Sequence, residues 1–418
     1  MFRIPAPHSP FARSHLGMDR PVLVRGEGAF VWDREGRRYL DATSGAFCVN
    51  LGYTRPDLVE AMTRAAGRLP HARPSAFDSE EAEGYRAALL AAAGAPFARL
   101  LLTSSGSEAV EAAIKLAVAY QRARGSADRT TVRSLAGHYH GATIAALGVT
   151  GWEARRAPWS GLLGPRVDGL PLEEDRSAAL IAETIPVAGL GVVMPAPGVL
   201  AARRAACDAA GSLWIADEVL TGFGRCGALF AWQRVTARTL AGGARPDEGA
   251  IPDLVVFGKG AGAGFAALAG VLISDQVAAV LESDAADPFA HHQSYGGNPI
   301  ACAVGRRVLR ALTEEGIDAS TRASEESAGG ALRTAAGFAA SVRGIGGLWA
   351  VSADGANGAS LHAGLRERDV LTHLAPGDAG AGSAGSVVIA PPLTAGTEAW
   401  DFLVSTVAAA AATPSRGR

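Results

Sequence analysis

Hydrophobic patterning divides the chain into three regions. Near the N-terminus two strand-like runs, Ala29-Phe-Val-Trp-Asp33 and Arg37-Arg-Tyr-Leu-Asp41, flank Arg34-Glu35-Gly36. A glycine in that position tolerates φ > 0, so a β-hairpin is predicted. From about residue 100 the rhythm changes. Short runs, most of them largely apolar, fall at 100–103, 130–135, 179–183, 212–217, 253–257 and 270–274. They alternate with helical patterning that starts at Gly106 and recurs near 200–210. Such runs suit strands buried on both faces, and the alternation suits an α/β fold with a mostly parallel sheet. Beyond Pro299 helices are predicted at 300–312 and 321–337, followed by Val387-Val-Ile-Ala-Pro-Pro and a last helix. The hairpin and the C-terminal third are expected to share a smaller α+β domain. That gives 1–53 and 311–418 for the small domain and 54–310 for the large one. Gly/Ala-rich stretches at 240–250 and 376–385 read as surface loops.

Composition narrows the function. The chain has 418 residues, 48% of them hydrophobic, so a large core is available and global disorder is excluded. Its 39 basic and 41 acidic residues give a net charge of −2, which argues against nucleic acid as the main partner. Cys48, Cys207, Cys226 and Cys302 are far apart and form no disulfide or zinc pattern. No signal-peptide core and no apolar run of membrane-spanning length is present, so a cytoplasmic protein without a membrane partner is expected. One bias stands out. Of the 39 basic residues only Lys115 and Lys259 are lysines. A lysine kept where arginine is used for almost every other positive charge points to a need for a primary amine.

Lys259 follows the apolar run 253–257 within Gly258-Lys-Gly-Ala-Gly-Ala-Gly264. Strand ends are where open α/β sheets bind ligands. A primary amine there can condense with an aldehyde, which a guanidinium does not do usefully at neutral pH. The same loop fits G-x-G-x-x-A, with Asp275 as a ribose-binding acid. After the Gly258-Lys-Gly260 turn, however, only the Gly-rich residues 261–269 remain before the next strand, too few for the crossover helix of a dinucleotide-binding unit. Lys115 lies in a helical run and carries no such context. A second constellation, Thr103-Ser-Ser-Gly-Ser-Glu108, leads from a strand into a long helix. Ser105 and Glu108 are spaced as a capping box, and Gly106 and Ser107 offer N–H groups to an anion. A third places Asp217 and Glu218 at the end of a buried strand, where a carboxylate needs a cationic partner such as a protonated pyridine nitrogen.

These three constellations are what pyridoxal phosphate needs, and the chain resembles the class III (ω-aminotransferase-like) subgroup of fold-type I pyridoxal-phosphate enzymes. The matching stretches include Ser105-Gly-Ser-Glu-Ala, Gly137-His-Tyr-His-Gly141, Glu183, Asp217-Glu-Val-Leu-Thr-Gly-Phe-Gly-Arg225, the Lys259 loop, Ser294-Tyr-Gly-Gly-Asn-Pro299 and Arg343-Gly-Ile-Gly-Gly. The resemblance implies a homodimer bound to pyridoxal 5'-phosphate. It makes Lys259 the Schiff-base lysine and proton shuttle, and Asp217 the partner of the ring nitrogen. Val219 and Tyr139 would cover the two ring faces. Ser105, Gly106 and Ser107 would bind the phosphate, with Ser294 reaching it across the dimer interface. Glu183 would lie near the cofactor and His140 behind it. The implied reaction moves an amino group between an amine or amino acid and a carbonyl acceptor. The same scaffold also serves aminomutation, racemisation, decarboxylation and elimination or replacement.

Departures from the family pattern bear on substrate. Thr184 replaces the usual proline after Glu183, Ser294 replaces threonine, and Leu220 replaces a common glutamine. Many relatives carry a C-terminal arginine for the substrate carboxylate. Here His373 lies nearest that position, and the segment 187–191 lacks that arginine's acidic partner. The stretch 235–250 before the lysine strand also looks longer than usual.

Overall fold

The computed structural model describes residues 21–164, 166–169, 176–238, 243–337, 340–353, 358–377 and 385–412. Parts of both Gly/Ala-rich stretches, 240–242 and 378–384, and the first twenty residues lie outside these. The N-terminal hairpin forms with one more strand than expected: β1 (Leu23–Glu27), β2 (Phe30–Asp33) and β3 (Arg38–Asp41) pair antiparallel in turn.

The large domain is built on β4 (Phe97–Thr103), β5 (Val132–Ser134), β6 (Ala179–Glu183), β7 (Leu213–Asp217), β8 (Leu254–Phe257) and β9 (Ala269–Ser274). Their order across the sheet is β4-β9-β8-β7-β6-β5. The β5–β6, β6–β7 and β7–β8 pairs are parallel; β9 runs against both its neighbours. The antiparallel β8–β9 pair removes the dinucleotide-binding reading of the lysine loop, because the two strands are not joined by a parallel crossover. The near-uniform apolarity of the strands has a direct cause. Along β7, Trp214 and Ala216 enter one apolar layer while Leu213 and Ile215 enter the other. On β8, Val255 and Phe257 alternate with Leu254 and Val256 in the same way. Each large side chain so buried contributes roughly 1.5–3 kcal/mol. The helix Gly106–Ala123 closes the second layer with Ala109, Val110, Ala113 and Ala117, small residues that let it approach the sheet.

The C-terminal third adds β10 (Ala340–Ile345), β11 (Leu348–Ala353), β12 (Val370–Leu371), β13 (His373–Ala375) and β14 (Ser386–Ile389). Four of them make an antiparallel sheet, β10-β11-β14-β13. β12 instead pairs parallel with β3, Val370 opposite Leu40 and Leu371 opposite Asp41, so both chain ends build one smaller domain. The helix predicted over 321–337 is two helices, Ile317–Ala323 and Glu325–Ala336, meeting at Ser324. Serine favours such junctions because its hydroxyl competes for backbone hydrogen bonds; here it binds the Thr321 carbonyl.

Buried Arg225 ties the two domains. It donates to the carbonyls of Gly347 and Pro391, to Ser44 Oγ and to Asn50 Oδ1. Among the described residues no helix is long and apolar enough to cross a membrane.

Candidate active site

The parallel strands β6, β7 and β8 end side by side, with Glu183 opposite Asp217 and Asp217 opposite Val256. Lys259 follows β8 after one glycine, in a short 3-10 turn with φ of +43°. That is a left-handed conformation and an uncommon one for a side-chain-bearing residue. Two glycines make the fit possible by close approach. A Cβ on Gly260 would lie 2.2 Å from Asn50 Nδ2, and one on Gly106 would lie 2.7 Å from Val219 Cγ1. The lysine turn, Val219 and the start of the helix Gly106–Ala123 therefore meet at one place.

Lys259 Nζ has no hydrogen bond or ion pair among the described residues; it lies 5.3 Å from the centre of the Phe47 ring. Burial lowers its pKa, against the opposing pull of Asp217 and Glu183. The result is an amine biased toward its neutral, nucleophilic form.

Asp217 is buried. Its Oδ2 lies 2.7 Å from His140 Nδ1, and its Oδ1 accepts the Val219 N–H at 3.1 Å. The His140 backbone N–H donates to Thr150 Oγ1, which fixes the histidine's position. Glu183 accepts N–H groups from Tyr139 at 2.9 Å and Val187 at 3.3 Å. Even so its pKa is pushed up to about 8, first by burial and then by Asp217. Glu218, the second acid of the strand end, turns away from the site. It accepts from Thr184, Thr221 and the N–H groups of Ala231 and Trp232. Thr184, read as a departure, thus supplies one of the bonds that hold a buried carboxylate.

At the helix start, Ser105 Oγ accepts the Glu108 N–H and Glu108 returns a bond to the Ser104 N–H. This is a capping box displaced by one residue on its return arm. The N–H groups of Gly106 and Ser107 have no partner among the described residues. Ser107 Oγ accepts the Ala142 N–H at 3.1 Å. Tyr139 is half-buried and edge-on to Trp152, ring centres 6.1 Å apart.

Ser294 is not drawn into this cluster. It is exposed beside Tyr295, which is 64% exposed. His373 donates from Nε2 to the Ala188 carbonyl at 3.0 Å and stands edge-on to Phe47. Burial lowers its pKa, which biases it toward the neutral imidazole. Arg343 is committed to the Val192 carbonyl and to Ser352 and Ser386. Three neighbours of the site had no signal in the sequence: Phe47, Trp152 and Arg155 are isolated residues whose roles depend on loop paths.

The donor set fits one kind of cofactor. An unpaired amine, a buried carboxylate–imidazole pair and free N–H groups at a helix start match an aldehyde, a ring nitrogen and a phosphate. This defines the class, a fold-type I pyridoxal-phosphate enzyme. The model of the class-III aminotransferases matches residues 12–177 and 168–410. An acetylornithine aminotransferase of Xylella fastidiosa is 38% identical over 325 residues, 74% of each chain. Another, of Xanthomonas campestris, is 34% identical over 366 residues, 82% of this chain and 83% of the relative. The (S)-enantioselective ω-transaminase of Thermomicrobium roseum superimposes with a TM-score of 0.79 at 33% identity, covering 94% of this chain and 92% of the other. The chain belongs to the class-III aminotransferases. It is a pyridoxal-phosphate-dependent enzyme that transfers amino groups.

Proposed function

We propose that Lys259, Asp217 and the helix start at Gly106 form the reacting centre of this aminotransferase. The observation that carries the reading is the unpaired, half-buried Lys259 amine at the same strand-end cluster as the Asp217–His140 pair. The bound cofactor supplies an aldehyde and a ring that stabilises negative charge on the carbon bearing the transferred nitrogen. Lys259 Nζ, which burial biases toward its neutral form, would take a proton from that carbon and hold it for return. Asp217, oriented by His140, holds positive charge on the ring nitrogen. Val219 and Tyr139 close the two ring faces and exclude water. The N–H groups of Gly106 and Ser107 and the hydroxyls of Ser105 and Ser107 hold the phosphate. Glu183, protonated near neutral pH, offers an O–H donor at the cofactor's edge.

The assembly in this reading is a homodimer in which the partner subunit's Ser294 completes the phosphate site. Support comes from the exposed Tyr295 beside Ser294 and from Phe77, which is 72% exposed. Apolar side chains left in water mark interaction surfaces when they cluster, and the Tyr295 ring already contacts His71 at 5.7 Å. The proposed domains are 1–53 with 311–418 around 54–310, supported by the β3–β12 pairing. A cytoplasmic location accords with cysteines that lack a pairing pattern.

The test is a half-reaction. An amine donor added to holoenzyme without acceptor should bleach the cofactor's visible band, and an aldehyde or 2-oxo acid should restore it. Turnover with no amine form of the cofactor would instead favour aminomutation, decarboxylation or elimination. Borohydride trapping followed by peptide mapping should place the covalent adduct on Lys259; an adduct elsewhere refutes the assignment.

A further inference from the structure

A groove where the two domains meet shares no residue with the site around Lys259. It consists of two contiguous hollows of about 610 and 470 Å³ that join at Met194, Arg234, Glu325 and Gly344. Hollows of this size hold small-molecule ligands. One wall is the helix Ala231–Thr236 and the residues after it, with Arg234 and Arg238. The other is formed by the helices Ile317–Ala323 and Glu325–Ala336 and by β10, with Arg322, Arg333 and Arg343.

These five arginines face two glutamates, Glu325 and Glu326, which leaves an excess of three positive charges. Little of that excess is balanced nearby. Among the described residues only Arg234 of the five has a carboxylate partner, Glu325 at 2.6 Å, and Glu325 also accepts the Gly346 N–H. Arg322 donates to the Gly227 carbonyl, and Arg343 to the Val192 carbonyl and two serine hydroxyls. Burial lowers the Arg343 pKa and no acid opposes it. The guanidinium groups of Arg238 and Arg333 have neither a carboxylate nor a hydrogen-bond acceptor among the described residues. Arg333 is nonetheless well placed. A Cβ on Gly329 would lie 3.2 Å from Arg333 NH1 and 2.6 Å from Trp349 Cη2, so the bare glycine lets guanidinium and indole edge converge on the groove. Trp349 is itself fixed by its Nε1 bond to the Gly346 carbonyl.

We propose that this groove binds a small diphosphate-bearing anion, held between the domains by Arg238 and Arg333. The proposal does not depend on which residues carry the transamination. Free guanidinium groups on opposite walls call for a ligand charged at two places. A phosphate group carries roughly 1.5 negative charges near neutral pH, so two of them match the excess in the groove. A single carboxylate or phosphate reaches one wall only. Guanidinium forks meet phosphate oxygens in pairs of parallel N–H···O bonds, which an ammonium does not reproduce. Between partly buried walls such pairs are screened less than on an open surface.

The experiment is equilibrium dialysis of holoenzyme against radiolabelled pyrophosphate, orthophosphate and ADP in magnesium-free buffer. Wild type should bind pyrophosphate at least ~10-fold more tightly than orthophosphate. Arg238→Gln and Arg333→Gln should each weaken pyrophosphate binding ~10-fold or more, and the double variant ~10²-fold. Glu326→Gln removes an opposing charge and should strengthen binding ~3-fold, a gain that damage to the fold does not produce. ADP held as tightly as pyrophosphate supports the proposal with a nucleotide as the source of the diphosphate; ADP held at least ~10-fold more weakly supports it with free diphosphate. Three results overturn it: no pyrophosphate bound by wild type at ~10 mM, orthophosphate bound as tightly as pyrophosphate, or a double variant within about twofold of wild type.

Discussion

His140 Nδ1 lies 2.7 Å from Asp217 Oδ2, with both side chains almost wholly out of water. The other ring nitrogen of His140 is buried and has no hydrogen-bond partner among the described residues. The pair is therefore polarised toward Asp217, and the imidazole fixes which way the carboxylate faces. Asp217→Asn should reduce kcat/KM by ~10³-fold or more, since the charge opposite the ring nitrogen is lost. His140→Asn, which keeps a donor near the Nδ1 position, should cost only ~10-fold, and His140→Ala ~10²-fold. Steady-state kinetics with one donor–acceptor pair ranks the three. Equal losses in the two His140 variants would contradict an orienting role.

Glu183 makes stability depend on pH in a definite direction. Its ordinary value of 4.5 is raised to about 8 in the folded chain. Between those values the folded state holds a proton that the unfolded chain releases. Stability contributed by this group is thus present at the acid end and is lost as pH rises through about 8. Urea unfolding of the apoenzyme should give a midpoint that falls from pH ~5 to ~8, with Glu183→Gln flattening the fall. An identical slope in the variant would mean that another group titrates.

Much of the candidate site is legible in the sequence, for identifiable reasons. Lys259, Asp217 and Gly106 sit at strand ends and a helix start, and such places are marked by apolar runs stopping at glycine, acid or serine. Glu218 could not be separated from Asp217 on that basis. Only the loop that brings Ala231, Trp232 and Thr221 to its carboxylate decides that it is structural. The break at Ser324 leaves no mark in the sequence, because the helical period carries across it. Phe47 and Trp152 carry no such mark, because nothing in local patterning says which loop residue turns inward.

Gly106 and Val219 should behave as a coupled pair. An added methyl at Gly106 meets Val219 Cγ1 at 2.7 Å, inside any normal contact distance. Gly106→Ala should push the helix start away from Val219 and weaken cofactor retention ~10-fold, read as cofactor lost on dialysis. Val219→Ala opens the space, so the double variant should recover at least ~1 kcal/mol relative to additive losses. Additive behaviour would mean that the helix start relaxes on its own.

Arg225 gives a prediction about stability. Burial lowers its pKa to about 10, and its NH1 and NH2 groups reach Gly347, Pro391, Ser44 and Asn50. Arg225→Ala leaves these acceptors buried without donors and should destabilise the fold by ~3 kcal/mol or more. Arg225→Lys should cost nearly as much, because an ammonium cannot span four acceptors arranged for a fork. Denaturant midpoints at constant m decide; a loss under ~1 kcal/mol for lysine would remove the geometric argument.

The two lysines should respond oppositely to the same substitution. Lys115 is exposed on the helix Gly106–Ala123, its Nζ 3.2 Å from His291 Nδ1. A guanidinium can make that contact, so Lys115→Arg should leave kcat/KM and the unfolding midpoint within about twofold and ~0.5 kcal/mol of wild type. Lys259→Arg keeps a basic side chain and adds hydrogen-bonding capacity, yet it should lower turnover by ~10³-fold or more. Arginine's pKa leaves no neutral nitrogen to take a proton or to attack an aldehyde near pH 7. Lys259→Ala with added ethylamine should recover a measurable fraction of the rate, because the missing chemistry is that of a small primary amine. Comparable losses in Lys115→Arg and Lys259→Arg would show that fold stability, not amine chemistry, retained both lysines among 37 arginines.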